Sequence, residues 1–170
     1  MAALKDVLAY LLLHYPHKSE MSNARVTKMV YLADWKHVLD YGTQMTEIPW
    51  YFDNYGPYVP DIMQTALEHS DLFDVDHTVN PFGHSKTLLS CSDAKYEPAL
   101  ASSERKVLDS VIQIANPLSW DQFIGLVYST FPVVRNERYS HLDLVASARE
   151  YKLTDVWYVA NAAVSPLLKR

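Results

Sequence analysis

Residues 24–41, ARVTKMVYLADWKHVLDY, form the segment that most constrains how this chain can fold. Their side chains make two mostly apolar stripes at helical spacing, one of Val26, Val30, Ala33 and His37 and one of Tyr31, Trp35, Val38 and Leu39. Only Arg25, Lys36 and Asp40 provide a clear polar edge. A helix that is apolar over most of its circumference normally has neighbours on both sides. We therefore predict that this helix lies at the centre of the fold.

The ends of this central helix carry local signals of their own. Ser22 is a good N-cap, because its hydroxyl can accept a bond from a free backbone N–H of the first turn. Gly42 stands where a left-handed C-terminal cap belongs, so the helix should end at about Tyr41. Nearer the start of the chain, Pro16 ends an earlier apolar helix.

After the central helix, strand and helix signals alternate. Ile48–Tyr55 has strand character, and Gly56-Pro57 is predicted to form the turn that follows it. Pro60 fits the first turn of a helix over about residues 60–68. The pattern of Phe73–Val79 and Lys86–Cys91, with a loop of about four to six residues between them, predicts a β-hairpin.

The last third of the chain reads as helical. Ser103 is predicted to cap a helix that runs to Ala115, and Ser119 with Gln122 forms a capping box that opens another, to about Thr130. Two more helices are predicted, over His141–Glu150 and Thr154–Val164. The predicted fold class is α+β, mostly α: a single helical domain over residues 1–170, built around the central apolar helix and carrying a small antiparallel β-hairpin or sheet.

Composition excludes several classes of protein. The 170 residues carry a formal net charge of −5, which argues against non-specific binding of nucleic acid, since that affinity comes mainly from Lys and Arg on phosphates. Cys91 is the only cysteine, so no intramolecular disulfide can form, and we expect a reducing cytoplasm. No segment approaches the roughly 20 apolar residues that span a bilayer, so we expect no membrane partner.

Catalytic and metal-binding patterns are not evident. The seven histidines lack the spacing of a ligand set, and neither a nucleophile motif nor a glycine-rich phosphate loop is present. We expect a non-enzymatic protein with no metal and no cofactor. Asp34 is the odd residue of the central helix, because it lies between the two apolar stripes; a structural pairing is the main interpretation and a functional role the alternative.

The stretch Trp50–Pro60, WYFDNYGPYVP, contains five aromatic residues among its eleven. Stacking of nucleic acid bases is disfavoured, because such platforms interleave rings with basic residues and this stretch has none. In a strand, alternate rings face opposite sides, so one set can pack on the central helix while the other meets a partner. The candidate partner-binding residues are Arg25, Lys28, Tyr31, Tyr51, Tyr55 and Tyr58, with Lys28 and Arg25 as a charged rim. The competing interpretation is that all five rings belong to the core.

Residues 22–62 resemble a known family. The segment NARVTKMVYLADWKHVLDYG, followed after a short gap by IPWYFDNYGPYVPDI, is similar to the Panacea domain, also called the SocA-like antitoxin domain of bacteria and phages. The residues that take the places of the family pattern are Arg25, Lys28, Tyr31, Trp35, Gly42, Tyr55, Gly56, Pro57 and Pro60. Among them Arg25 departs from the pattern, which commonly has lysine there. Trp35, Gly42, Gly56, Pro57 and Pro60 are expected to determine the fold.

The resemblance implies an antitoxin, a protein that binds and neutralises a cognate toxin protein encoded beside it. One family member is described as also delivering its toxin to a protease, so a proteolytic adaptor with a protease or chaperone as further partner is an alternative. A homodimer is also left open. A second alternative is a DNA-binding transcription regulator that uses the helix pair over residues 103–130. The second helix of that pair, WDQFIGLVYSTF, has no Lys or Arg, which disfavours contact with phosphates and bases.

Overall fold

The computed structural model describes the backbone of residues 1–164 and the side chains of residues 1–154. Within that part, seven α-helices surround two small antiparallel sheets, as the α+β, mostly α prediction requires. The helices are α1 Leu4–His14, α2 Asn23–Tyr41, α3 Asp61–Glu68, α4 Ser102–Ala115, α5 Trp120–Ser129, α6 Phe131–Arg135 and α7 Leu144–Val164. The strands are β1 Tyr51–Asp53, β2 Gly56–Tyr58, β3 Phe73–Val79, β4 Ser85–Cys91 and β5 Ser140–His141.

Helix α2 is the centre of the fold, as predicted. It contacts helices α1, α3, α4 and α7 and strands β2 and β4, which cover most of its surface. Its first turn is capped by Ser22, whose Oγ accepts a 3.2 Å bond from the backbone N–H of Arg25. Gly42 ends it with φ +81°, the left-handed conformation that glycine adopts without strain. Both predicted caps are confirmed.

The aromatic stretch folds into a tight hairpin, and here the predicted turn is wrong. Asn54 and Tyr55 make the two-residue turn, whereas Gly56 and Pro57 belong to strand β2. The predicted strand is correspondingly shorter and ends at Asp53, which pairs with Gly56. Proline lacks the N–H that a central strand needs, but β2 lies at the edge of its sheet, in the order β2-β1-β5, where proline is tolerated.

The alternation of rings along this hairpin is confirmed. Trp50 and Phe52 are buried, whereas Tyr51 and Asp53 are only partly covered. The second predicted hairpin is confirmed too, because β3 pairs with β4 from Phe73↔Cys91 to Val79↔Ser85.

The helices beyond residue 100 differ from the prediction in several places. Helix α4 begins two residues earlier than expected: Ala101 is its N-cap and the Glu104 carboxylate accepts a 2.7 Å bond from the Ala101 N–H, so Ser103 lies inside the helix. The capping box of Ser119 and Gln122 at the start of α5 is confirmed. The short helix α6 was not predicted.

A single helix, α7, replaces the two predicted C-terminal helices. His141 is not helical, because it pairs with Tyr51 in the three-stranded sheet. The helix starts after Asp143, whose Oδ1 accepts a 2.9 Å bond from the N–H of Ala146. Thr154 does not open a new helix, since its hydroxyl bonds the backbone carbonyl of Glu150 one turn earlier. Among the described residues, no helix combines the length and apolar character needed to cross a bilayer.

Candidate functional site

An open groove of about 490 Å³ lies where α2, the β1–β2 hairpin and α5 meet. Its walls are mostly apolar and aromatic. The lining residues are Ala24, Lys28, Asp53, Tyr55, Tyr58, Trp120, Ile124 and Tyr128. The groove therefore brings together three of the predicted partner-binding residues, Lys28, Tyr55 and Tyr58, with a face of α5 that was not predicted to take part.

Asp34 holds the hairpin that supplies one wall of this groove. Its carboxylate is fully buried and accepts bonds from the backbone N–H groups of Met45 and Thr46, at 3.0 and 2.8 Å. It also accepts bonds from the Thr46 hydroxyl at 2.5 Å and the Trp50 indole N–H at 2.8 Å. Burial raises the pKa of Asp34, and the bonds from Thr46 and Trp50 oppose that rise. The predicted structural pairing is confirmed, and its partners are hydrogen-bond donors with no cation among the described residues.

Gly56 lets α5 approach the hairpin closely. It has φ +94°, and a Cβ placed on it would lie 3.4 Å from Cε2 of the Tyr128 ring. The same ring packs edge-on against Phe52, with 6.2 Å between the ring centroids. Tyr128 therefore lines the groove beside a residue whose left-handed backbone favours glycine.

Helix α5 has two faces, one buried in the core and one lining the groove. Phe123 and Val127 are fully buried in the core. Trp120, Ile124 and Tyr128, spaced at i, i+4 and i+8, line the groove instead. No binding role was predicted for this helix beyond the disfavoured contact with DNA. The spacing of its second ring-rich stripe was a signal for a second surface, but nothing local distinguishes a groove wall from core.

Arg25 and Lys28 do not form the predicted exposed rim, because both side chains are buried. Arg25 donates a 3.2 Å bond to the Tyr15 hydroxyl, and its guanidinium carbon lies 4.8 and 5.4 Å from the ring centroids of Phe123 and Trp120. It lies 3.6 Å from a carboxylate oxygen of Glu20. Arg25 thus fastens the start of α5 to α2 and supports Trp120 from behind.

Lys28 lies one turn further along α2 and is placed differently. Lys28 is 4% exposed, and it makes no hydrogen bond or ion pair with any side chain or backbone group described in the structure. Burial lowers the pKa of its amine to about 8. Lys28 lines the groove. No fully buried side-chain nitrogen or oxygen among the described residues lacks a hydrogen-bond partner, so the unpaired amine keeps some contact with the solvent of the groove.

Tyr31 and Tyr51, like Arg25, are predicted contact residues that do not line the groove. Tyr31 is fully buried, with its hydroxyl 2.8 Å from the Thr130 hydroxyl and its ring packed on Trp50. Tyr51 is half-buried beside His141 on the sheet. A partner docking on the observed fold would not reach Tyr31 without rearrangement.

The predicted fold-determining residues have identifiable structural roles. Trp35 is buried and packs against Tyr151, with 6.1 Å between ring centroids. Pro57 is buried opposite Phe52 in the hairpin, and Pro60 is the N-cap of α3. Among residues 1–154, no cluster of three or more His, Cys, Asp or Glu side chains is arranged to hold a metal ion.

Comparison with known proteins gives a family but no individual relative. No curated protein and no solved structure matches the chain significantly. The family described as antitoxin SocA-like, Panacea domain, matches residues 26–131, which include α2 from Val26 onward, the aromatic hairpin and all of α5. Seven of the eight residues that line the groove lie in the matched segment, and only Ala24 precedes it. The chain belongs to the SocA-like, Panacea-domain antitoxin family.

Proposed function

We propose that this protein is an antitoxin that binds a cognate toxin protein through the groove between α2, the β1–β2 hairpin and α5, and that it neutralises the toxin without catalysis. The observation that carries the proposal is Tyr55, an aromatic side chain 83% exposed at the turn of a hairpin in which Trp50 and Phe52 are buried. Tyr58 and Trp120 extend the same exposed surface.

The chemistry of these rings suits a surface that is bare in one state and covered in another. An exposed apolar patch on a folded protein often marks an interaction site. Tyr and Trp keep a polar group for water when unbound and bury a large area when bound, which makes them preferred anchors of interfaces. The net charge of −5 also favours a basic partner, since complementary charge accelerates association.

The experiment begins with the reading frame adjacent to the gene. Its product is expressed alone and together with this protein, and growth and co-purification are measured. Two variants then locate the surface: Tyr55→Ala in the groove and Phe82→Ala at the tip of the β3–β4 hairpin. The two rings are matched controls, because they are 83% and 84% exposed and lie on different surfaces.

We expect the neighbour to be toxic alone, the wild-type chain to rescue growth, and Tyr55→Ala to lose rescue while melting like the wild type. Phe82→Ala should rescue fully. Loss of rescue by Phe82→Ala alone would move the interface to the β3–β4 hairpin and contradict the groove. The amount of toxin in rescued cells separates direct blocking, in which toxin persists, from delivery to a protease, in which it disappears.

A further inference from the structure

The amine of Lys28, which lines the groove, has no counter-ion among the described residues. Other buried charges in the same fold are satisfied: Arg25 reaches Tyr15 and Glu20, and the Asp34 carboxylate accepts bonds from three residues. Lys28 is as deeply buried as Arg25, at 4% exposed, yet has no such partner. Asp53 lines the same groove but is not within 4.0 Å of the Lys28 amine.

An unpaired buried lysine is costly to the free protein. Removing an ammonium group even partly from water without a compensating partner disfavours folding, and the lowered pKa of Lys28, about 8, reflects that cost. A methionine would fill similar space with no charge to desolvate. The charge of Lys28 is therefore best explained by a binding partner that enters the groove and pairs with it.

The walls of the groove restrict the chemistry of that occupant. Ile124 and the rings of Tyr58, Trp120 and Tyr128 line the same groove as Lys28, so an ion pair formed inside it would be less screened than one in bulk water. The matching group is a carboxylate carried on a short apolar stem. The groove is open, and Tyr55 projects from its edge at 83% exposed. A small carboxylate at the base would leave that ring bare, whereas a protein would cover both.

We propose that the toxin inserts one acidic side chain, Asp or Glu, into this groove, where its carboxylate pairs with the amine of Lys28 and apolar neighbours of that residue pack on Tyr55 and Trp120. This inference rests on the proposed function, since the occupant is the toxin. It adds a specific chemistry to the contact: one acidic anchor on a partner that can be basic overall.

The test is a double-mutant cycle between the two proteins. Binding of the toxin is measured by calorimetry for the wild-type chain and for Lys28→Met, against a set of toxin variants in which each exposed Asp or Glu is changed to Ala. We expect Lys28→Met to melt no lower than the wild type and to bind at least about tenfold more weakly, as for other desolvated charge pairs at interfaces. One toxin variant should bind the wild-type chain as weakly as wild-type toxin binds Lys28→Met. The same toxin variant should lose no further affinity when it is combined with Lys28→Met.

The possible failures are distinguishable. If toxin binds the wild type, depends on Tyr55, but binds Lys28→Met within about twofold of the wild type, the acidic anchor is refuted while the groove stands. If Lys28→Met binds weakly and every Asp→Ala or Glu→Ala change in the toxin still lowers its affinity for Lys28→Met as much as for the wild type, the group facing Lys28 is not an Asp or Glu side chain. Removal of the toxin's C-terminal carboxylate then tests whether that carboxylate is the partner. If the wild type does not bind the toxin at all, the proposed function and this inference fall together.

Discussion

The indole N–H of Trp50 donates a 2.8 Å hydrogen bond to Oδ2 of Asp34, and both side chains are buried. This bond joins the central helix to the residue immediately before strand β1. It fixes where the aromatic hairpin starts and therefore where Tyr55 and Tyr58 stand relative to Lys28. Asp34, the odd residue of the central helix, thus shapes the groove by positioning the hairpin, and it does not itself contact a partner.

Replacement of Asp34 by Asn should destabilise the fold. If the retained oxygen accepts the two backbone N–H groups, the new amide nitrogen faces the indole N–H of Trp50, and two donors oppose each other. We expect a loss of about 2–4 kcal/mol in the free energy of unfolding, measured in denaturant. In a Trp50→Phe background the opposing donor is gone, so Asp34→Asn should cost clearly less. An equal cost in both backgrounds would contradict this account of the network.

Two glycines of the matched segment should respond in opposite directions to alanine. Gly56→Ala should lower stability by roughly 1–3 kcal/mol, because a φ of +94° is strained for any residue that has a Cβ. Gly125 lies within α5, and a Cβ added there would meet no atom within 4 Å, so Gly125→Ala should gain up to about 1 kcal/mol from helix propensity. Melting temperatures of the two variants test this; a Gly56→Ala protein as stable as wild type would remove the proposed reason for glycine there.

Two tryptophans, one in the core and one on the groove wall, should separate folding from recognition. Trp35→Ala removes a buried ring and should cost roughly 3–5 kcal/mol of stability. Trp120 is 43% exposed, so Trp120→Ala should cost less stability and reduce toxin binding more. Thermal unfolding and binding are compared for both variants. The reverse ranking in either measurement would count against Trp120 as a contact residue.

Stability should depend on pH through Lys28. Burial lowers its pKa in the folded state from 10.5 to about 8, so the unfolded chain binds this proton more tightly. Below pH 8 the folded protein therefore bears the full penalty, and the penalty disappears as pH rises from about 8 to 10.5. Lys28→Met should be more stable than wild type by up to about 3 kcal/mol at pH 7.

The unfolding free energies of the wild type and Lys28→Met should become more similar as pH rises towards 10.5. Asp53, Tyr55, Tyr58 and Tyr128 are the other titratable groups of the groove, and they are present in both proteins, so the difference between the two unfolding free energies isolates Lys28. Denaturant unfolding at a series of pH values provides the measurement. A difference that stays constant from pH 7 to 10.5 would mean that the amine is not desolvated in the folded state.

The sequence by itself determined the local architecture. The caps at Ser22 and Gly42, the capping box at Ser119, the long hairpin and the burial of the central helix all follow from residues a few positions apart, because capping, turn geometry and helical periodicity are short-range effects. The resemblance to the family also rested on one continuous segment. Errors occurred where a pairing partner lies far along the chain: His141 was assigned to a helix because β1, its partner in the sheet, is about 90 residues away.

Only the tertiary structure decided the groove. Lys28, Tyr55 and Trp120 belong to three elements, and no pattern along the chain records that α5 packs beside the hairpin. A lysine on a helix is exposed or buried according to what lies over it, and here Lys28 is buried and lines a groove that α5 and the hairpin share. The sequence could identify the lysine and the rings as candidates. The degree of burial, which sets the energetic cost of the lysine and the exposure of each ring, arises only when these elements pack together.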